Sequence, residues 1–124
     1  MFNSLFFNVM MTMAANSTVI VMNNDTIRRA NVIANRVGND VVGIIKAQMI
    51  DLLKNKLKNG VAHFIYQKKN GSIREAWGTT SHELVKANVN GRGYERDYVN
   101  CVCYWDVEKG GFRSLRFENL IQVL

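Results

Sequence analysis

Residues 64–80 read FIYQKKNGSIREAWGTT, and this stretch decides the fold of the second half of the chain. Inward and outward positions alternate over 61–66, which is the period of a β-strand. Asn70-Gly71 then supplies the pair of positive-φ residues that a tight two-residue hairpin turn needs. A return strand is predicted over 72–78, so a β-hairpin is the first expected element.

Three further short strands are predicted downstream of this hairpin. The stretch 98–106 is rich in β-branched and aromatic residues, and a glycine corner leads from it to a strand over 112–117. Residues 118–124 fit a tight helical turn followed by a closing strand. The polar stretch 79–97 is predicted as a long loop with one short helical turn at 81–87. Five short strands favour a small, strongly bent antiparallel barrel, because closure removes exposed strand edges.

Helical periodicity governs the residues before the hairpin. Apolar residues recur at helical spacing over 24–37, where Gly38 follows as a stop, and a second apolar stripe runs over 41–58. The sequence therefore predicts an α+β chain with N-terminal helices followed by strands. The expected helix caps are Asn24 or Asp25 for the first helix and Asp40 for the second.

The charge of the chain favours acidic or phosphate-bearing partners. Sixteen Lys and Arg residues against ten Asp and Glu residues give a net charge of +6. This excess does not identify one partner, and it is consistent with nucleic acid, a nucleotide or an acidic protein surface.

The cysteines and the uncharged N-terminus favour a cytoplasmic location. Cys101 and Cys103 are one residue apart on a predicted strand, cannot easily meet disulfide geometry, and are expected to be buried, reduced thiols. The extension 1–23 lacks the basic region of a secretory signal, and asparagines interrupt it too often for a membrane span. We therefore expect no membrane contact. The uncharged extension and the six methionines make self-association a further expectation.

Two motifs in the second half carry a family resemblance. The pattern FxYxKKNGSIREAxGT occupies residues 64–79, and YWD at 104–106 and FRSL at 112–115 follow it. Together they resemble the WYL-2 family, small bacterial and phage domains of largely unknown function with an Sm-like, SH3-type β-barrel. The resemblance covers residues 61–123. It implies a bacterial or phage-encoded protein.

This resemblance completes the predicted organisation of the chain. We expect an uncharged extension over 1–23, a helical segment over 24–59, and a five-stranded antiparallel SH3/Sm-like barrel over 60–124. The distantly related WYL domain is a ligand-sensing module thought to bind nucleotide or nucleic-acid effectors through basic and aromatic side chains. Such a role comes to this chain only as an analogy from fold.

Basic and aromatic residues of the predicted strands form the candidate ligand-binding set. Arginine can fork onto a phosphate, and an aromatic face can stack a base. The same pattern is typical of a barrel whose Lys and Arg side chains are solvated and whose rings point inward, so both interpretations stay open. Asp106 is expected to pair with Arg113 across the last hairpin. The candidate set is Tyr66, Lys68, Lys69, Arg74, Trp77, Tyr104, Arg113 and Arg116.

No catalytic or metal site is predicted. His63 and His82 lie far apart in the pattern, and Cys101-x-Cys103 lacks the second ligand pair of a zinc site. The adjacent Ser81, His82 and Glu83 cannot converge on one atom as a catalytic triad does. We expect no enzyme activity and no cofactor.

Two classes of function remain after these exclusions. The favoured one is a non-enzymatic binding or regulatory module that contacts nucleic acid or a nucleotide. The alternative is a protein–protein module, such as an adaptor, a virion component or an inhibitor of a host enzyme, in monomeric or self-assembled oligomeric form. A third, weaker hypothesis treats the two helices as a DNA-binding helix-turn-helix, with Lys46, Lys54 and Lys58 facing the backbone.

Overall fold

The computed structural model describes residues 22–85 and 100–124, and two helices come first in these ranges. Helix α1 spans Asn24–Val37 and helix α2 spans Asp40–Asn59, which confirms both predicted helices. No helix within the two described ranges is both long and apolar enough to cross a membrane.

An asparagine caps each of these helices. The side chains of Asn23 and Asn39 accept hydrogen bonds from the backbone N–H three residues further on, at 2.9 and 3.0 Å. The caps predicted at Asn24 or Asp25 and at Asp40 are therefore wrong, because an amide one position upstream takes the role. Asp25 and Asp40 lie in the first helical turns, where their negative charge favours the helix dipole.

Glycines shape the turn and the contact between α1 and the first turns of α2. Gly38 has a φ of 73° and donates its N–H to the Ala34 carbonyl at 2.8 Å, so it ends α1 as predicted. At Gly43, an added Cβ would lie 2.7 Å from the Ala30 carbonyl oxygen. Only glycine therefore permits this backbone approach. The helix-turn-helix role of the pair stays a prediction.

A five-stranded antiparallel sheet follows, as predicted. Its strand order is β4-β3-β2-β1-β5, and a short helix α3 and a 3₁₀ helix interrupt the strands. The predicted helical turns near 81–87 and at the start of 118–124 are both present, although residues 86–97 lie outside the described ranges. The bounds are β1 Ala62–Gln67, β2 Ile73–Thr79, α3 His82–Val85, β3 Cys101–Asp106, β4 Gly111–Arg116, the 3₁₀ helix Phe117–Asn119 and β5 Leu120–Val123.

The connection between the last two strands bends this sheet. Strands β4 and β5 lie at opposite ends of the strand order, yet only the 3₁₀ helix Phe117–Asn119 joins them. The four Cα–Cα steps from Arg116 to Leu120 span at most about 14 Å, so the end of β4 and the start of β5 must lie near each other. The predicted closure is nevertheless incomplete: within the described residues, β5 pairs with β1 and no ladder joins it to β4.

Aromatic rings fill the interior of the curved sheet. Phe64 and Tyr104 are fully buried and meet edge to face, with ring centroids 5.0 Å apart. The Tyr104 ring lies directly over Gly78, where an added Cβ would be 3.1 Å from its Cγ and Cε2 atoms. The last turns of α2 contribute Ile50, Leu53 and Leu57, all buried.

The first hairpin turn and the start of β3 differ from the prediction. Gly71 has a φ of 89°, but Asn70 does not share the left-handed conformation, so the first hairpin does not have a two-residue Asn-Gly turn. Hydrogen bonds from the Gly71 N–H to the Lys68 carbonyl and from the Lys68 N–H to the Ser72 carbonyl, at 2.9 and 2.8 Å, enclose the loop 69–71 instead. Asn100 has a φ of 61°, so β3 begins after it, and residues 98–99 lie outside the described ranges.

The chain divides into two compact units, residues 1–48 and 49–124. Their border falls inside α2. The predicted division into an extension over 1–23, a helical segment over 24–59 and a barrel over 60–124 stays a prediction, and residues 1–21 lie outside the described ranges.

Candidate ligand-binding site

A groove with a volume of about 340 Å³ brings together six of the eight candidate residues. Its walls come from the end of β1, the first hairpin, the start of β2, the start of β3, β4 and the 3₁₀ helix. Among the residues that the structure describes, the lining includes five cationic side chains and no Asp or Glu. The six candidates in its wall are Tyr66, Lys68, Lys69, Arg74, Arg113 and Arg116.

The two lysines of the first hairpin are exposed cations. The loop 69–71 is closed by backbone hydrogen bonds, and the Asn70 side chain accepts a further bond from the Ser72 N–H at 3.0 Å. Lys68 and Lys69 thus project from a rigid corner. Neither side chain makes a hydrogen bond or ion pair with any residue that the structure describes. Their charges are available to a ligand.

The arginines of β4 differ in how far their charge is neutralised. Arg113 is exposed, and within the described chain its guanidinium bonds only the carbonyl of Phe112, at 2.9 Å. The Arg116 Nε lies 3.1 Å from Glu118 Oε2, although the Arg116 side chain remains 47% exposed. Arg113 therefore presents a full charge and Arg116 a partly compensated one.

Arg74 forms a buried ion pair with Asp106. Its Nη2 donates to Asp106 Oδ2, and the two side chains are 15% and 0% exposed. Asp106 Oδ1 also accepts the N–H groups of Glu108 and Lys109, each at 2.9 Å. The predicted pairing of Asp106 with Arg113 is therefore wrong. In the β3–β4 register Asp106 faces Gly111, and the buried carboxylate is neutralised by Arg74 from β2 instead.

Two of the candidate aromatic rings are buried in the core. Tyr66 and Tyr104 are 4% and 0% exposed, and their hydroxyl oxygens lie 2.8 Å apart. Burial, assisted by the hydrogen bond to Tyr66, raises the pKa of Tyr104 far above its ordinary value. Neither ring presents a face on which a base can stack.

Trp77 lies outside the groove. It is half-buried and stacks on His63, with ring centroids 4.4 Å apart and planes 10° apart. Trp105, which lies near the candidate set in sequence, meets Phe112 edge to face at 5.2 Å. Within the described residues, the groove thus has the cations of the predicted site without an exposed stacking platform.

Cys101 and Cys103 are not in a disulfide, as predicted, but they are half-buried and not fully buried. Cys101 forms part of the groove wall. Within the described ranges no three His, Cys, Asp or Glu side chains are arranged to hold a metal ion.

The sequence analysis did not predict the hydrogen bonds made by the Gly-Thr-Thr stretch at residues 78–80. The Thr79 hydroxyl and the Thr80 N–H both donate to the Leu57 carbonyl, at 3.1 and 2.9 Å. Leu57 is in the last turn of α2, where carbonyls lack helical partners. The end of β2 therefore caps the end of α2.

The fold and these motifs define an Sm-like SH3 β-barrel protein, and the chain belongs to the WYL_2 family. The family model, described as WYL_2, Sm-like SH3 beta-barrel fold, matches residues 50–121. This match confirms the resemblance noted from the sequence.

The chain is also similar to a phage protein. It is 28% identical over 81 residues to the "Uncharacterized 11.5 kDa protein in Gp31-cd intergenic region" of Enterobacteria phage T4. The aligned residues cover 63% of this chain and 79% of that protein. This similarity supports a phage context. No solved structure matches the chain.

Proposed function

We propose that the protein is a non-enzymatic binding or regulatory module that contacts nucleic acid or a nucleotide through the basic groove. The observation that carries the proposal is the composition of the groove wall, where the described residues contribute five cationic side chains and no carboxylate. The chain has ten Asp and Glu residues, and none of those that the structure describes lies in this wall. A groove lined by charges of one sign concentrates positive electrostatic potential.

The positive charge that a ligand can neutralise comes from three side chains of the groove. Lys68, Lys69 and Arg113 are exposed and make no ion pair with a described residue. Lysine binds phosphate as a point charge and arginine as a two-pronged donor, so this trio suits a phosphate-bearing chain. Arg74 contributes less, because Asp106 already neutralises it.

Fluorescence anisotropy tests the proposal with labelled single strands, duplexes and nucleotides at low salt. We expect binding that weakens by about 0.7–0.9 log units per neutralised phosphate for each tenfold rise in salt. The double variant Lys68→Glu/Lys69→Glu should abolish most of this binding. The double variant Lys56→Glu/Lys109→Glu reverses the same number of charges on exposed lysines outside the groove wall, and serves as the control. Absence of binding to every polyanion would refute the proposal.

A protein partner is the second candidate, and exposed apolar residues of α2 favour it. Val41 and Ile45, one helical turn apart, are 46% and 50% exposed. Side chains of this kind at helical spacing are typical of a contact surface. Such binding would change little with salt, and light scattering of the full chain would detect self-association.

A further inference from the structure

We propose that the basic groove recognises the phosphate group itself, with the Tyr66 hydroxyl as a donor, and does not read the base. This inference rests on the proposed function and names the chemistry of its ligand. It follows from the hydrogen bonds of the buried tyrosine pair and from the kinds of side chain in the groove wall.

The tyrosine pair has one hydroxyl hydrogen to spare. Tyr66 and Tyr104 each carry one O–H donor, and their mutual hydrogen bond of 2.8 Å uses one of the two. Within the described residues neither hydroxyl makes another hydrogen bond. Both side chains are more than nine-tenths buried, and a buried donor without an acceptor is costly. Of the two, only Tyr66 lines the groove.

The wall around Tyr66 calls for a ligand that accepts hydrogen bonds. Every charged group that the described residues contribute to the wall is a donor, and three of them, Lys68, Lys69 and Arg113, have no carboxylate partner in that part of the chain. Phosphate oxygens carry negative charge and only accept. A phosphate therefore satisfies the spare hydroxyl and the cations at once.

The same wall offers little to a base. Of the wall residues within the described ranges, Tyr66 alone is aromatic, and it is only 4% exposed. Stacking on an aromatic face is the usual way to hold an unpaired base, and this face is covered. Affinity should therefore depend on phosphate and hardly on base identity.

Two sources supply this chemistry, the diester backbone of a strand and the terminal phosphate of a nucleotide. A labelled oligothymidylate without terminal phosphates is the probe. Its competitors are unlabelled oligodeoxyadenylate, adenosine, adenosine monophosphate and inorganic pyrophosphate. We expect oligodeoxyadenylate to compete within about twofold of oligothymidylate and adenosine not to compete. Strong competition by the two small phosphates would assign the site to a terminal phosphate, and weak competition would assign it to the backbone.

Two tyrosine variants test the donor. Tyr66→Phe removes the proposed donor hydroxyl, and should weaken binding about tenfold, as expected for a hydrogen bond to a charged acceptor. Tyr104→Phe removes the partner hydroxyl but leaves that of Tyr66, so binding should stay within about twofold. Thermal unfolding of both variants checks that they remain folded.

The outcomes separate this inference from the proposed function. Binding that depends on the base, competition by adenosine, or equal losses in the two tyrosine variants would overturn phosphate recognition through Tyr66 while leaving a binding module. If no polyanion binds the unsubstituted protein, the proposed function fails and this inference fails with it.

Discussion

Asp106→Ala should be the most damaging single change to the charged side chains of the barrel. The carboxylate has three partners, and two of them are N–H groups of the exposed residues Glu108 and Lys109, which water can satisfy. The third is Arg74, whose side chain is 15% exposed and would lose its counter-ion. Breaking a buried ion pair costs about 3–5 kcal/mol. Glu108 lies 3.8 Å from the same guanidinium, so we expect the lower end of this range.

Urea unfolding of the full chain, followed by fluorescence of Trp77 and Trp105, measures this loss. Glu108→Ala is the matched control: its carboxylate is 49% exposed and its removal should cost under about 1 kcal/mol. Adding Arg74→Met to Asp106→Ala should recover part of the loss, because the unpaired charge is removed. If Asp106→Ala costs no more than Glu108→Ala, the ion pair does not stabilise the fold and the reasoning is refuted.

Two further predictions concern Tyr104. Gly78→Ala places a methyl group against a ring that Phe64 and Tyr66 hold in position, so the free energy of unfolding should fall by about 1–3 kcal/mol in urea melts; an unchanged midpoint would contradict this packing. Because burial raises the pKa of Tyr104, the folded state keeps a proton that the unfolded state releases above about pH 10. The free energy of unfolding should be unaffected by this group below pH 10 and fall above it, by about 1.4 kcal/mol per pH unit. Tyr104→Phe should lack this component, and equal alkaline slopes in the two proteins would count against it.

Local patterns predicted the elements well because their causes are local. The helical period, the stop at Gly38 and the alternation around Tyr66 each depend on neighbours within a few residues. The errors in the caps have the same origin: Asn39 and Asp40 are both good caps, and spacing alone does not choose between adjacent ones.

The partners within the site were harder to predict because they depend on tertiary geometry. Arg74 and Asp106 are 32 residues apart and lie on different hairpins, whereas Arg113 is close to Asp106 in sequence and therefore seemed the natural partner. Cations of the groove were identified from residue type alone. Burial of Tyr66 and Tyr104 was not, since alternation shows which residues share a face but not which face is covered.

The hydrogen bonds from Thr79 and Thr80 to Leu57 bear on how the barrel can be moved between proteins. A gene fusion or recombination event that inherited only the strands would leave these donors without their acceptor and remove the buried Leu53 and Leu57. A transferable module would therefore begin within α2, close to Met49, where the second compact unit starts. We therefore expect that a transferred barrel must include the last turns of α2 together with the strands.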